Sequence, residues 1–212
     1  MRTDELIHAL AEDVAVKERE PARTLALGVV VGAVLAGLVF AILLRPRPGI
    51  VQVADDLRFL FKFVEGGTLA LAGVAICASL MRPSGRLAGR AWLLAVPLGL
   101  LLVAVITELL VLPQQTWGAR LIGVNWMYCL AFIPVIAVAP LAALLMAMRH
   151  GAPSRPELAG AIAGLSAGGI AAFFYALHCP DDSPLFVATW YMLAIAAVTA
   201  AGAFAGRRYL RW

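Results

Sequence analysis

Charge is scarce in this chain. Of its 212 residues only 14% are Asp, Glu, Lys or Arg, while 62% are hydrophobic, and the mean hydropathy is +0.89. A soluble domain carries about a quarter charged and roughly half apolar residues, so this composition points to a membrane protein. Cysteine is scarce too: Cys77, Cys129 and Cys179 are too few and too far apart for a disulfide scaffold. The first 24 residues hold acids as well as bases and no short apolar core with a small-residue cleavage site, so no cleavable signal peptide is expected. There is no Gly-rich phosphate loop, no His-Glu-x-x-His pair and no nucleophile elbow, so no enzyme is expected. The net charge of +4 is scattered in short clusters, not gathered in the contiguous stripe that direct nucleic-acid binding needs.

What is present is long apolar runs. A bilayer core of about 30 Å needs about 20 apolar residues in a helix. Six stretches meet that length, at about 25–44, 60–81, 91–112, 127–148, 158–178 and 185–206, separated by Pro- and Gly-bearing segments such as "RPRPGI" and "CPDDSP". Threading the six spans puts twelve of the 17 Lys and Arg residues on one side and five on the other. By the positive-inside rule both termini are cytoplasmic. The expected fold is therefore all-α: a polytopic bundle of six transmembrane helices over 25–212, preceded by a short cytoplasmic segment, 1–24.

Small residues recur every four positions in three spans: Gly28, Gly32 and Ala36; Gly160, Gly164, Gly168 and Ala172; Gly202 and Gly206. Such ridges let helix backbones approach closely. They serve either packing within the bundle, the favoured reading, or a homodimer face.

The same threading gathers polar groups at the outer face. Cys129 lies just inside the outer end of span four, and His178 and Cys179 close span five. Glu108 is near the outer end of span three, Glu65 is in the outer half of span two, and Asp181 and Asp182 follow Cys179. Carboxylates in apolar spans are costly and need a partner or a task, and few bases are at hand on this face. Two chemistries fit the thiols: a soft-metal site (Zn, Cd or Cu) drawn from Cys129, Cys179, His178, Asp181 and Glu108, or a redox pair of Cys129 with Cys179. Against both stands the plain reading, with cysteines as apolar fillers, His178 at the interface and the aspartates in a solvated turn. Pro180 disfavours helix at Cys179, which makes that position a hinge. A third reading is a small proton- or cation-coupled transporter using Glu65 and Glu108, although no internal repeat or matched pair of broken helices supports it.

The opening "MRTDELIHALAEDVAVKEREPAR" places Leu6, Ile7, Leu10 and Val14 on one face of a helix of about three turns, with acids opposite. Interfacial membrane helices favour a basic polar face, so this stripe suits docking into a protein groove. A disordered tail is the alternative.

Nearly the whole chain resembles the NrsF-like (negative regulator of sigma F) anti-sigma factors, bacterial inner-membrane proteins with six spans. The resemblance is carried by "TDELIHALAED", by Cys129 in "WMYCLAFIPV", by "RHGAPSRPELAGAIAGLSAGGIAAFFYALHCPDDSPLFVATWY" and by the closing "GRRYLRW". It implies that the amino-terminal segment holds an extracytoplasmic-function sigma factor away from RNA polymerase. It also implies that two periplasmic cysteines, here Cys129 and Cys179, sense heavy metals or oxidants, with any metal bound transiently and no obligatory cofactor. Cys77 matches no cysteine of the family.

Overall fold

The structure, a computed structural model, describes residues 21–82 and 89–211. The stripe of Leu6, Ile7, Leu10 and Val14 lies outside the described residues. Six helices long and apolar enough to cross a membrane follow one another: α1 (Pro21–Leu43), α2 (Leu57–Leu80), α3 (Ala95–Val111), then a short α4 (Trp117–Ile122), α5 (Trp126–Met148), α6 (Pro156–Tyr175) and α7 (Pro184–Tyr209). Among the described residues there is no β-strand.

The ends follow from local chemistry. Pro156 and Pro184 sit in the first turns of α6 and α7, where a missing N–H costs nothing. The Asp56 carboxylate caps α2 by accepting the Arg58 backbone N–H at 2.8 Å. The fifth span stops earlier than the hydropathy suggests. Helix α6 ends at Tyr175 and a turn runs to His178, so Cys179 already lies in the loop before α7. Within α7, Val187–Tyr191 forms one π-helical turn.

Helix α6 is the centre of the bundle, packed against α7, α2, α5 and α1, while α3 stands at the periphery against α2 and the start of α7. The small-residue ridges explain these contacts. A Cβ on Gly160 would strike the carbonyl of Gly202, and one on Gly164 would lie 2.5 Å from the carbonyl of Val198. Gly28 and Gly32 seat α1 on Ala143, Ala147 and Pro140 of α5, and Gly73 meets Ser166. Thus each ridge is consumed inside the chain, which is the packing expected where lipid supplies no hydrophobic drive between helices.

The α6–α7 seam is therefore intolerant of volume. Gly160→Val forces the two backbones apart and is expected to cost about 1–3 kcal/mol, whereas Gly99→Ala, where a Cβ meets nothing within 4 Å, is neutral or stabilising by up to about 1 kcal/mol. Thermal unfolding in detergent distinguishes the two; equal effects would contradict the seam.

Candidate functional site

Side chains from α2, from α3 and from the segment just after α1 converge on the loop 179–184, at the face that the Lys and Arg count orients outward. The sequence there, Cys-Pro-Asp-Asp-Ser-Pro, contains two prolines and three short polar side chains, so its backbone carbonyls and N–H groups are left to side chains from elsewhere. Lys62 of α2, 1% exposed, donates from Nζ to the Cys179 carbonyl at 2.8 Å and lies 2.6 Å from Asp182 Oδ1. Arg47, just after α1, donates to Asp182 Oδ2 at 2.8 Å and to the carbonyls of Pro180 and Cys179 at 3.2 and 3.3 Å. Its guanidinium also stacks 4.6 Å from the centre of the Phe59 ring.

The other acids are equally committed. Asp181 accepts the backbone N–H groups of Val124, at 3.1 Å, and Asn125, at 2.9 Å. Those two donors are presented by Gly123, whose φ of 59° and ψ of −166° only glycine adopts without strain, and whose missing Cβ leaves room for Phe186 and Asp181. Glu108, buried at the end of α3, accepts from Ser183 Oγ at 2.8 Å and from Leu185 N–H at 3.0 Å, and faces Arg120 at 3.5 Å. A carboxylate at the first turn of α7 also suits the helix dipole. The His178 ring N–H at Nδ1 donates to the Arg45 carbonyl at 2.8 Å.

Beneath this clasp lie the thiols. Cys129 of α5 and Cys179 are fully buried free cysteines close enough to influence each other's ionisation, and Cys179 Sγ donates to the Asp181 carbonyl at 3.8 Å. Two tyrosines close the chamber: Tyr175, the last residue of α6, and Tyr191, the last of the π-helical turn. Both rings are buried and stand edge to face at 5.7 Å, and neither buried hydroxyl has a hydrogen-bond partner among the described residues. The extra residue of a π turn re-aims the side chains after it, and such turns concentrate at functional sites. The Cys179 thiol is pulled below the ordinary thiol range, first by the hydrogen bond from Cys129, which outweighs burial, and then by the charge of Lys62.

Of the five residues expected to share a metal, only the two cysteines come together. His178, Asp181 and Glu108 are drawn off to backbone groups and Arg120, and among the described residues no group of three His, Cys, Asp or Glu side chains is arranged to hold an ion. The expected shortage of bases is also corrected: Arg47 and Lys62 both meet Asp182, Arg120 faces Glu108, and Asp181 is held by backbone N–H groups. Lys62 is not among the residues expected at the site, and its available signal is a lone cation inside span two, where a charge demands a partner; Tyr175 and Tyr191 carry no spacing signal. Glu65 is buried in α2 with Oε2 unpartnered, and Cys77 is buried in the core.

The fold and this outer clasp define a class: a six-helix bundle of membrane type whose polar groups are spent on holding helix ends together. The comparisons place it. The family described as "Negative regulator of sigma F" (NrsF) matches residues 10–212, and the chain belongs to that family. It is 40% identical over 216 residues, covering all of both chains, to "Anti-sigma-F factor NrsF" of Caulobacter vibrioides. It is 33% identical over 214 residues, again over both whole chains, to "Probable anti-sigma-F factor NrsF" of Azospira oryzae. No solved structure matches.

Two measurements check the site. Lys62→Met leaves Asp182 with Arg47 alone and strips a donor from Cys179, and it should cost about 3 kcal/mol, as broken buried pairs do; Arg58→Met, whose side chain has no hydrogen bond or ion pair among the described residues, should stay within about 0.5 kcal/mol. In a Cys77→Ser background the same Lys62→Met change removes a cation that favours thiolate, so the absorbance titration of the Cys179 thiolate should shift to higher pH. A shift to lower pH, or none, would detach Lys62 from the thiol.

Proposed function

We propose that this protein is an anti-sigma factor of the bacterial inner membrane. It holds an extracytoplasmic-function sigma factor through residues 1–24 and releases it when a periplasmic heavy-metal or oxidative signal reaches Cys129 and Cys179. The observation that carries the reading is full-length similarity to proteins named anti-sigma-F factors, together with a family match over residues 10–212. Six apolar helices agree with a membrane seat.

The thiol chamber supports the sensing half. Two facing sulfurs, one of them biased toward thiolate, offer soft donors to an ion such as Cd, Zn or Cu(I) that tolerates few protein ligands. An oxidant of the diazene or peroxide class would instead take two electrons as the two thiols join in a disulfide and release two protons. Either event pulls the outer end of α5 against the loop after α6. Because that loop is clasped by α1, α2 and α3 as well, a small movement there is shared by most of the bundle. The transport reading on Glu65 and Glu108 is weakened, since Glu108 is committed to Ser183, Leu185 and Arg120.

Co-purification with extracytoplasmic-function sigma factors of the same cell tests the holding half. Full-length protein extracted from membranes should retain the sigma factor, deletion of residues 2–20 should abolish retention, and Leu6→Ala with Leu10→Ala should weaken it at least about tenfold, the loss of two anchors of an amphipathic helix. Retention by neither the full nor the truncated chain would refute the reading. For the sensing half, Cys129→Ser with Cys179→Ser should abolish metal-induced expression of sigma-dependent genes; intact induction would remove the thiols from the signal path.

A further inference from the structure

At the opposite, inner face the start of α6 and the end of α7 enclose a pocket of about 530 Å³. Its floor is apolar, from Leu158, Ala161 and Ala203, and its rim carries Arg155, Arg207 and Arg211. All three arginines are exposed, and none of their side chains makes an ion pair or hydrogen bond among the described residues. Glu157 is the single acid of the lining. An apolar floor with a threefold cationic rim suits a segment that is itself amphipathic and acidic.

The chain contains such a segment. Residues 1–20 hold Asp4, Glu5, Glu12, Asp13, Glu18 and Glu20 against Arg2, Lys17 and Arg19, with Leu6, Ile7, Leu10 and Val14 at helical spacing. It is tethered on the right face. Gly28, in the second turn of α1, is seated on Ala143 and Ala147 near the inner end of α5, Ala152 N–H bonds the Met81 carbonyl, and Gly206 packs on Pro156 and Gly160. Twenty residues extend up to about 70 Å, so length does not limit the contact.

We propose that the arginine pocket between α6 and α7 is the docking site of the acidic amino-terminal segment of the same chain, occupied when that segment is not holding the sigma factor. The second occupancy rests on the functional reading above; the docking itself does not. The pocket gives the segment two mutually exclusive positions and so supplies a bistable element for release. Its walls are the two helices whose outer ends carry Tyr175, Cys179 and Tyr191, and the glycine seam from Gly160 to Gly168 couples them along their length. A shift of that pair against α5, which carries Cys129, reaches the pocket without passing through a loop.

The test uses the full chain in phosphatidylcholine nanodiscs, with benzoylphenylalanine replacing Leu10 as a photo-cross-linker. Without the sigma factor, irradiation should join residue 10 to peptides from 155–161 or 203–211. Arg155→Glu with Arg207→Glu and Arg211→Glu should cut the yield about tenfold, as expected from losing several exposed ion pairs. Glu12→Arg with Asp13→Arg in the same chain should restore it, which a misfolded variant would not allow. Cross-links unaffected by charge reversal, or directed elsewhere, would overturn the proposal. So would their loss on adding phosphatidylglycerol, which would make the pocket a lipid-headgroup site. If added sigma factor erases the cross-link, both readings stand. If the cross-link forms but no sigma factor is captured, the docking stands and the anti-sigma reading falls; capture without any cross-link in the free protein gives the reverse.

Discussion

The end of the bundle that carries the loop 179–184 depends on two cations, buried Lys62 and half-buried Arg47, held against one aspartate. Lys62 and Arg47 converge on Asp182 and on the carbonyls of Cys179 and Pro180. A lysine held at 1% exposure in an apolar helix is tolerable only because an anion and carbonyl acceptors surround it. The reverse holds as well: a loop with two prolines and two aspartates could not sit under the helix ends without donors brought to it. The pair ties α1 and α2 to the junction of α6 and α7. Asp181 and Glu108 extend the same tie to α5 and α3. The loop that looks like a hinge in sequence is the most heavily anchored segment on its face, and the thiols lie directly beneath it.

That arrangement fixes what a signal at the thiols can do. A free thiol at a solvated turn could react without moving anything else. Cys129 and Cys179 are enclosed by Tyr175 and Tyr191, and Cys179 sends its own carbonyl to Lys62 and Arg47. Binding or oxidation therefore works against several hydrogen bonds at once. Moving a population from 1:99 to 99:1 takes about 5.5 kcal/mol of differential binding, which sets the size of effect that the proposed signal must produce at the thiols. At Gly160, Gly164, Gly202 and Gly206 α6 and α7 are in close backbone contact, leaving little free volume at that seam.

Much of this was legible in the sequence. The six spans followed from apolar run length, and their ends were misjudged by only a few residues, since hydropathy averages over positions that proline and capping decide. The glycine ridges announced close packing, and threading brought Cys129 and Cys179 to one depth. The partners of the acids were not legible. In sequence Lys62 reads as a loop charge and Arg47 as one of two arginines in a proline-rich turn, because span assignment treats charge as a topology marker and not as a contact. Glu108 looked like a metal or proton site and proves to hold the first turn of α7, a role set by where Ser183 and Leu185 fall in three dimensions. The π-helical turn that aims Tyr191 has no sequence signature of its own.

The most direct measurement is sigma-factor retention by the purified full-length protein in nanodiscs, before and after addition of Cd²⁺ or diamide. The wild-type complex should release the sigma factor on either addition, while a Cys129→Ser, Cys179→Ser protein should keep it. Equal release from both proteins, or none from the wild type, would contradict the account.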